Sequence, residues 1–289
     1  MPELPEVESV CRGLAEAKLT APVVHVHRTA HALRIGALWR QADERAHDLL
    51  GGTPREISRR GKYVLWRFDD AHGDHDALGL LVHLGMSGRL GVAHASEPRV
   101  PHTHLVLRFA DDRELRFVDP RRFGALRVAP WTALQRSPPL DALGPEPLDP
   151  GFDGAVLRAR LGHRAIPIRD ALLDQRAVAG VGNIYAVEAC FEAGIDPRLP
   201  ARALPAWVWP VLARALVRVL VRGIEHGGTS LKDFRNVTGA PGRNQDDLRV
   251  YGRAGQPCPV CGGSLTAAVS QGRSLVWCRV CQPRRPSRG

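Results

Sequence analysis

The chain has 289 residues, of which 44% are hydrophobic, and this length suits two domains with cores of their own. Forty Lys and Arg against 30 Asp and Glu give a formal net charge of +10, which favours a polyanionic partner. The sequence shows no signal peptide and no apolar run near the roughly 18 residues of a membrane span, so we expect a cytoplasmic protein with reduced thiols.

The first residues combine a proline, a carboxyl group and a predicted helix. Apolar residues at helical spacing predict an amphipathic helix over 5–18. If Met1 is removed, Pro2 carries a secondary amine, which can attack a sugar aldehyde carbon and form an iminium ion. Glu3 can move a proton beside that amine. The alternative from these residues alone is a disordered start whose prolines shape a turn.

Period-two alternation follows between Val23 and about Phe109 and predicts several short strands in an antiparallel sandwich or barrel. An exposed hairpin loop is expected at 69–79. Lys62 closes a run of three cations in four residues just before a predicted strand. Such a run suits a phosphate clamp, and the alternative is a solvated strand end.

Two turns present side chains suited to a DNA duplex. A glycine-interrupted loop from His83 to Gly88 holds Met86. The turn at 119–124 presents three consecutive candidates: Arg121, Arg122 and Phe123. An apolar or planar side chain on such a loop can wedge into a base stack. The alternative for Met86 and Phe123 is packing in the core.

A segment rich in Pro, Asp and Gly at 131–153 predicts an interdomain connection. Helices are expected after it at 152–161, 168–174, 184–193 and 204–223. The glycine turn ending at Asn183 can present backbone N–H groups to phosphate, with Asn183 as the cap of the next helix. The alternative is a simple connection between helices.

Two C-x₂-C pairs stand sixteen residues apart near the end of the chain. Their members are Cys258, Cys261, Cys278 and Cys281. This spacing predicts a structural zinc site, and four thiolates leave no open position for catalysis. The alternatives are two disulfides or free thiols. A small hairpin between the pairs would project Arg273 in a segment where, from Ala240 onward, eight Arg stand against two Asp.

The opening Met-Pro-Glu-Leu-Pro-Glu-Val-Glu resembles that of formamidopyrimidine-DNA glycosylases, whose sister family, the endonuclease VIII enzymes, usually has Gly where Leu4 stands. The segment Leu172–Ala186 resembles the helix–two-turn–helix element of the same family, and the resemblance extends from Pro2 to about Gln282. It implies an α+β, two-domain fold: an N-terminal antiparallel β-sandwich with flanking helices, and a C-terminal helical domain with a β-hairpin zinc finger.

The domain boundaries expected from these patterns are an N-terminal catalytic domain at 1–132 and a linker at 133–150. A helix–two-turn–helix domain at 151–240 follows, then the zinc finger and basic tail at 241–289. DNA is expected in a basic cleft between the two main domains.

The resemblance also implies roles for individual residues. Pro2 would be the nucleophile, Glu3 a proton donor, and Glu6 a supporting residue. Lys62 and Arg273 would donate protons or contact DNA. The other DNA-binding candidates are His83, Met86, Arg121, Arg122, Phe123, Arg169, Asn183, Lys232 and Tyr251. Of these, Met86, Arg121 and Phe123 would fill the void left by a flipped base.

Two positions depart from the family pattern. Arg169 stands where Lys is common, which keeps the charge but not a readily deprotonated amine. The tripeptide at 242–244, Gly-Arg-Asn, stands where Gly-Tyr-Phe is common. The second departure bears on lesion preference.

The implied activity is that of a bifunctional DNA glycosylase and AP lyase in base excision repair. Such an enzyme removes oxidised purines, 8-oxoguanine and formamidopyrimidines, from duplex DNA by base flipping, Schiff-base formation at Pro2 and β,δ-elimination. One structural Zn²⁺, a monomeric state and association with the nucleoid through DNA are expected. The alternatives are an endonuclease VIII-like glycosylase for oxidised pyrimidines and a non-catalytic, zinc-dependent DNA-binding protein.

Overall fold

A computed structural model describes residues 1–29, 42–69 and 77–284. The loop expected at 69–79 and the end of the basic tail therefore lie largely outside the described residues. The fold divides into two compact units. The first comprises Met1–Ala142 and His226–Arg243, and the second comprises Leu143–Glu225 and Asn244–Gly289. Among the described residues, no helix is long and apolar enough to cross a membrane.

Eight strands of the first unit form two antiparallel four-stranded sheets. The strand order is β1-β6-β7-β5 in one sheet and β2-β3-β4-β8 in the other. The strands are β1 (Val23–Arg28), β2 (Thr53–Arg60), β3 (Tyr63–Asp69), β4 (Leu78–His83), β5 (Arg89–His94), β6 (Thr103–Phe109), β7 (Arg113–Val118) and β8 (Ala125–Pro130). A 3₁₀ helix at Ala42–Leu49 precedes β2.

The two sheets share one hydrophobic core. Trp66 of β3 and Phe109 of β6 belong to different sheets, and their ring centroids lie 6.3 Å apart. Buried Val, Leu and Phe side chains from both sheets join the same cluster. Burial of one face of each sheet against the other is what the period-two alternation requires. The predicted β-sandwich is confirmed.

Helix α1 (Leu4–Glu16) packs its apolar stripe into this core. It starts where the sequence favours a start, because proline is tolerated in the first turn and Glu3 caps the helix. It ends two residues before the predicted end at Lys18. The first unit also contains the short helix α2 (Trp131–Gln135).

The second unit is helical, with one two-stranded sheet. Its helices are α3 (Gly154–Leu161), α4 (Ile168–Leu172), α5 (Asn183–Glu192) and α6 (Val208–Glu225). Its strands are β9 (Thr266–Ser270) and β10 (Arg273–Trp277). The helices α5 and α6 pack closely where Gly223 meets the Tyr185 ring, since a Cβ on that glycine would lie 2.6 Å from the ring.

The segment His226–Arg243 clusters with the first unit, although both of its neighbours in the chain belong to the second. Phe234 and Val237 are buried in the sandwich core, and the Val92 N–H donates to the Val237 carbonyl at 3.3 Å. The boundaries expected from sequence place these residues in the helical domain and the zinc finger. Two apolar side chains in a polar segment were too weak a signal to predict that this segment packs against the sandwich.

Candidate active site and nucleic-acid interface

Pro2 and Glu3 are buried at the start of α1. The Glu3 carboxylate accepts a hydrogen bond from the Glu6 N–H, and the Glu6 carboxylate accepts one from the Glu3 N–H at 2.7 Å. This reciprocal cap ties the residue after Pro2 to a rigid helix. In the full-length chain Met1 precedes Pro2, so the ring nitrogen is an amide, and amine chemistry there requires removal of Met1.

The carboxylate of Glu6 has a second partner in a distant part of the chain. Its other oxygen accepts a hydrogen bond from the Thr229 N–H at 2.7 Å. The preceding Gly228 has a φ of +86° and packs so closely that a Cβ there would lie 3.0 Å from the Glu6 side chain. Glu6 is 1% exposed, so both of these hydrogen bonds form away from solvent.

The loop that contains Thr229 is closed at its base. The Gly242 N–H donates to the Ser230 hydroxyl at 2.9 Å, and the Arg243 N–H donates to the His226 carbonyl at 2.8 Å. A Cβ on Gly242 would collide with the carbonyl oxygens of two glycines at 227 and 228. Lys232 is exposed within this loop, beside the exposed Leu231.

Lys62 lies in the two-residue turn between β2 and β3, yet it is 6% exposed. The His83 ring lies nearby, with its centroid 4.9 Å from that of Tyr63. The Gly85 N–H donates to His83 Nδ1 at 3.2 Å. Burial and the Lys62 ammonium lower the pKa of His83 to about 4, so the ring is neutral near pH 7.

The loop that holds Met86 and the turn at Arg121–Phe123 are joined by Asp119. One Asp119 oxygen accepts from the Ser87 hydroxyl at 2.6 Å, and the other accepts from the Gly124 N–H at 2.6 Å. Asp119 is completely buried, so these bonds hold the two loops together within the sandwich unit. Sequence reasoning missed it, although an Asp-Pro step before a turn signals such a role.

The three void-filling candidates therefore project from neighbouring loops. Met86 is 38% exposed, Arg121 is exposed, and Phe123 is half-buried. The Arg121 guanidinium lies 4.9 Å from the Phe123 ring centroid. Arg122, between them, is half-buried and has a φ of +58°. Met86 and Phe123 therefore keep part of their side-chain surface exposed and are not fully packed in the core.

In the second unit, Gln175 orders the turn before α5. Its side-chain amide donates to the Val181 carbonyl at 2.8 Å and its oxygen accepts from the Gly180 N–H at 2.9 Å. Asn183 is the first residue of α5, and its side-chain amide donates to the Ser274 carbonyl at 2.8 Å. The Gly182 position, not Asn183, is the N-cap.

Arg169, which the sequence suggested as a DNA contact, has a fully buried side chain. One guanidinium nitrogen lies 2.9 Å from an Asp170 oxygen, and another donates to the Ser270 carbonyl at 3.3 Å. Burial lowers the pKa of Arg169, and the Asp170 carboxylate opposes that shift. Contact between Arg169 and DNA stays a prediction, and the partners of its guanidinium in the structure are Asp170 and Ser270.

Tyr251 is half-buried and is the last residue of a segment held by one carboxylate. Glu188 of α5 accepts the backbone N–H groups of Arg249, Val250 and Tyr251 at 3.0, 2.9 and 2.7 Å. Burial raises the pKa of Glu188 even though these three donors favour its charged form. Sequence reasoning did not single out this buried carboxylate, because a lone Glu in a helix usually faces solvent.

The four cysteines converge as their spacing predicts. Their sulfur atoms all lie within 4.8 Å of one another, with Cys258 and Cys281 3.8 Å apart and Cys261 and Cys278 3.4 Å apart. A tetrahedral zinc site with bonds of about 2.3 Å has sulfur atoms about 3.8 Å apart. The cluster therefore fits zinc. Arg273 is exposed at the start of β10, directly after the hairpin turn.

Three family models match successive parts of this chain. The formamidopyrimidine-DNA glycosylase N-terminal domain matches residues 1–126, and the formamidopyrimidine-DNA glycosylase H2TH domain matches residues 143–235. The zinc finger found in FPG and IleRS matches residues 255–284.

Full-length relatives agree with these matches. The formamidopyrimidine-DNA glycosylase of Methylococcus capsulatus is 43% identical over 98% of this chain and 100% of its own length. Two solved structures of wild-type Lactococcus lactis Fpg (MutM) are each 32% identical and cover 98% of this chain and 100% of theirs. One is a complex with N7-benzyl-Fapy-dG-containing DNA, with a TM-score of 0.86. The other holds oxidised-pyrimidine-containing DNA, with a TM-score of 0.85.

Proposed function

This chain belongs to the formamidopyrimidine-DNA glycosylase family, and from that premise we propose that it is a DNA glycosylase and AP lyase of base excision repair. Its proposed substrate is damaged double-stranded DNA carrying an oxidised purine. The observation that carries the proposal is the start of α1. There Pro2 adjoins Glu3, the buried N-cap of the helix, in a chain similar to a glycosylase over 98% of its length.

The proposed chemistry begins after Met1 is removed. An ordinary α-amino group has a pKa of roughly 7.7–8.0, so such an amine is partly unprotonated near neutral pH. The Pro2 lone pair forms a bond to sugar C1′ as the glycosidic bond breaks, and the electron pair of that bond leaves with the base. The proton that Pro2 loses on forming the new bond balances the protonation of the departing base. Glu3 donates a proton to the sugar ring oxygen, the ring opens, and a positively charged iminium forms between Pro2 and C1′.

Strand cleavage follows from the iminium, which serves as an electron sink. Loss of a proton from C2′ expels the 3′ phosphate, and a second elimination expels the 5′ phosphate. Water then hydrolyses the remaining iminium and frees the Pro2 nitrogen. The product is a one-nucleotide gap with a phosphate at each end.

The damaged base must leave the DNA helix before this chemistry, which leaves a void in the base stack. The loops that hold Met86 and Arg121–Phe123 carry side chains that can fill it. We assign Met86 and Phe123 to the gap in the base stack, and Arg121 to the base left without its partner. The exposed side chains of Arg121 and Met86 and the rigid Asp119 link between their loops support this assignment. Lys62, His83, Arg122, Lys232, Asn183, Tyr251 and Arg273 are proposed as further DNA contacts or their supports.

One Zn²⁺ is proposed for the four-cysteine cluster. All four ligands are thiolates, so the ion would hold the finger together and leave no position for substrate. The enzyme is proposed to act as a monomer.

The experiment that tests this function compares single-turnover excision from two duplexes, one with 8-oxoguanine opposite cytosine and one with thymine glycol opposite adenine. We expect faster excision of 8-oxoguanine, with phosphates at both ends of the gap. A Glu16→Gln variant, altered at the exposed last residue of α1, is the matched control and should behave like wild type.

A preference for oxidised pyrimidines is the second candidate, because a similar protein was solved with oxidised-pyrimidine-containing DNA and this chain departs from the family at Arg243 and Asn244. Faster excision of thymine glycol would establish it. Absence of excision from both duplexes, with DNA binding retained, would instead leave a zinc-dependent DNA-binding protein.

A further inference from the structure

The hairpin that carries Arg273 has its tip far from the cysteine cluster. Gln271 and Gly272 have φ values of +47° and +69° and form a two-residue turn between β9 and β10. Arg273 follows the turn and pairs across the hairpin with Ser270. Cys278 lies five residues further along, which corresponds to about 16 Å of extended strand.

A metal at the base of this hairpin would not by itself fix its tip. An isolated two-stranded ribbon is at best marginally stable in water, and its strands twist and bend readily. The direction in which Arg273 projects therefore depends on contacts made near Ser270 and Ser274. Both of these residues have such contacts, and all of them come from the helical part of the same unit.

Three polar side chains hold the two strands next to the turn. Arg169 donates to the Ser270 carbonyl at 3.3 Å, and the Ser270 hydroxyl donates to an Asp170 oxygen at 3.0 Å. On the other strand, Asn183 donates to the Ser274 carbonyl at 2.8 Å. Arg273 is thus flanked by an anchor on its cross-strand partner and another on its sequence neighbour.

The anchor on Ser270 is chemically specific. Arg169 is fully buried and Asp170 is 7% exposed, so each charge needs the other, because an unpaired buried charge is costly. A planar guanidinium presents nitrogens in a fixed fork and reaches both the Asp170 carboxylate and the Ser270 carbonyl. A lysine ammonium at the same position offers a single nitrogen in place of the fork, so it cannot meet the two acceptors with the same geometry.

We propose that Arg169, Asp170 and Asn183 are positioning residues that lock the tip of the hairpin, so that Arg273 is held ready for a DNA phosphate. This rests on the proposed function, which assigns Arg273 to DNA. Preorganisation strengthens binding, because the ordering cost of the hairpin is met before DNA arrives. Arg169 then acts on DNA through Ser270 and not through its own side chain.

The test is a double-mutant cycle on the zinc-loaded, full-length protein. The probe is a duplex containing a tetrahydrofuran abasic analogue, and the measurements are Kd and its salt dependence. The variants are Ser270→Ala, Arg169→Lys and Arg273→Ala, with each of the first two also combined with Arg273→Ala. Ser264→Ala is the matched control, since Ser264 is an exposed serine of the same finger.

Removal of Arg273 should raise Kd about tenfold and lower the salt slope by about one. Ser270→Ala should raise Kd about fivefold, a factor typical of one lost hydrogen bond. When Arg273 is already absent, Ser270→Ala and Arg169→Lys should add almost nothing, because they act through it. Zinc content and the control variant should match wild type.

Additive effects in the double variants, or loss of zinc in Ser270→Ala, would overturn the positioning role while leaving Arg273 as a DNA contact. Wild-type binding by Arg273→Ala would overturn the positioning role by removing the DNA contact that it serves. That last result would not touch the glycosylase proposal, which base excision tests separately.

Discussion

Glu6 and Thr229 are hydrogen-bonded through a buried carboxylate oxygen and a backbone N–H at 2.7 Å, although 223 positions separate them in the chain. The other oxygen of Glu6 accepts from the Glu3 N–H. One side chain therefore fixes both the residue beside Pro2 and the start of the loop at 226–243. The candidate nucleophile and that loop are positioned by a common support.

Replacing Glu6 with Gln should loosen both attachments. Glutamine keeps one acceptor oxygen but turns an NH₂ group toward a backbone donor, which leaves a buried N–H without an acceptor. We expect the free energy of unfolding to fall by about 1–3 kcal/mol, together with a sharp loss of excision. Urea denaturation and single-turnover excision measure the two effects. Glu16→Gln should change stability by less than about 0.5 kcal/mol, and equal losses in both variants would contradict a special role for Glu6.

The stability of the sandwich should depend on pH through His83. Its pKa in the folded protein is about 4, below its ordinary value of 6.5, because the half-buried ring is desolvated and lies near the Lys62 ammonium. The unfolded chain therefore binds the proton first. The stabilisation is complete above about pH 6.5 and declines as pH falls toward 4, by about 3 kcal/mol at most.

This pH dependence can be separated from that of other groups by substitution. His83→Asn keeps an acceptor for the Gly85 N–H and should flatten the dependence of unfolding free energy between pH 7.5 and 4.5. His102→Asn, at an exposed position with a φ of +66° that Asn tolerates, should keep the wild-type slope. An unchanged slope in His83→Asn would remove His83 from the explanation.

The cysteine cluster should bind one zinc ion per chain. Cys278→Ser replaces a thiolate with a poor ligand, so zinc content and DNA affinity should both fall. Cys11→Ala should retain full zinc content, because Cys11 lies in the sandwich and donates to the Ser58 carbonyl. Elemental analysis and binding titrations with increasing chelator measure the outcomes. Full zinc content in Cys278→Ser would show that this cluster is not the site.

The sequence predicted features that repeat at short range. Alternation of apolar residues predicted the sandwich, and the spacing of Cys258 and its partners predicted their convergence. The alternation is a pattern between neighbouring residues, and the two C-x₂-C pairs have a spacing typical of zinc sites. The fold class followed from them and from the family resemblance.

Long-range pairing explains what the sequence did not reveal. The sequence suggested that Arg169 is an exposed cation, because its hydrogen-bond partner Ser270 lies about a hundred residues away in the chain. The same limit hid the pairing of Glu6 with Thr229 and the return of 226–243 to the first unit. In each case the residues that make contact in the fold are far apart along the chain.

Borohydride trapping followed by peptide mapping tests most directly whether the nitrogen of Pro2 attacks the sugar. Intact mass should first show that Met1 has been removed. After trapping on an 8-oxoguanine duplex, the sugar remnant should map to Pro2, and Pro2→Gly should trap far more slowly while still binding DNA. The other side-chain amines are only Lys18, Lys62 and Lys232. A remnant on one of these lysines, or efficient trapping by a chain that keeps Met1, would contradict attack by Pro2.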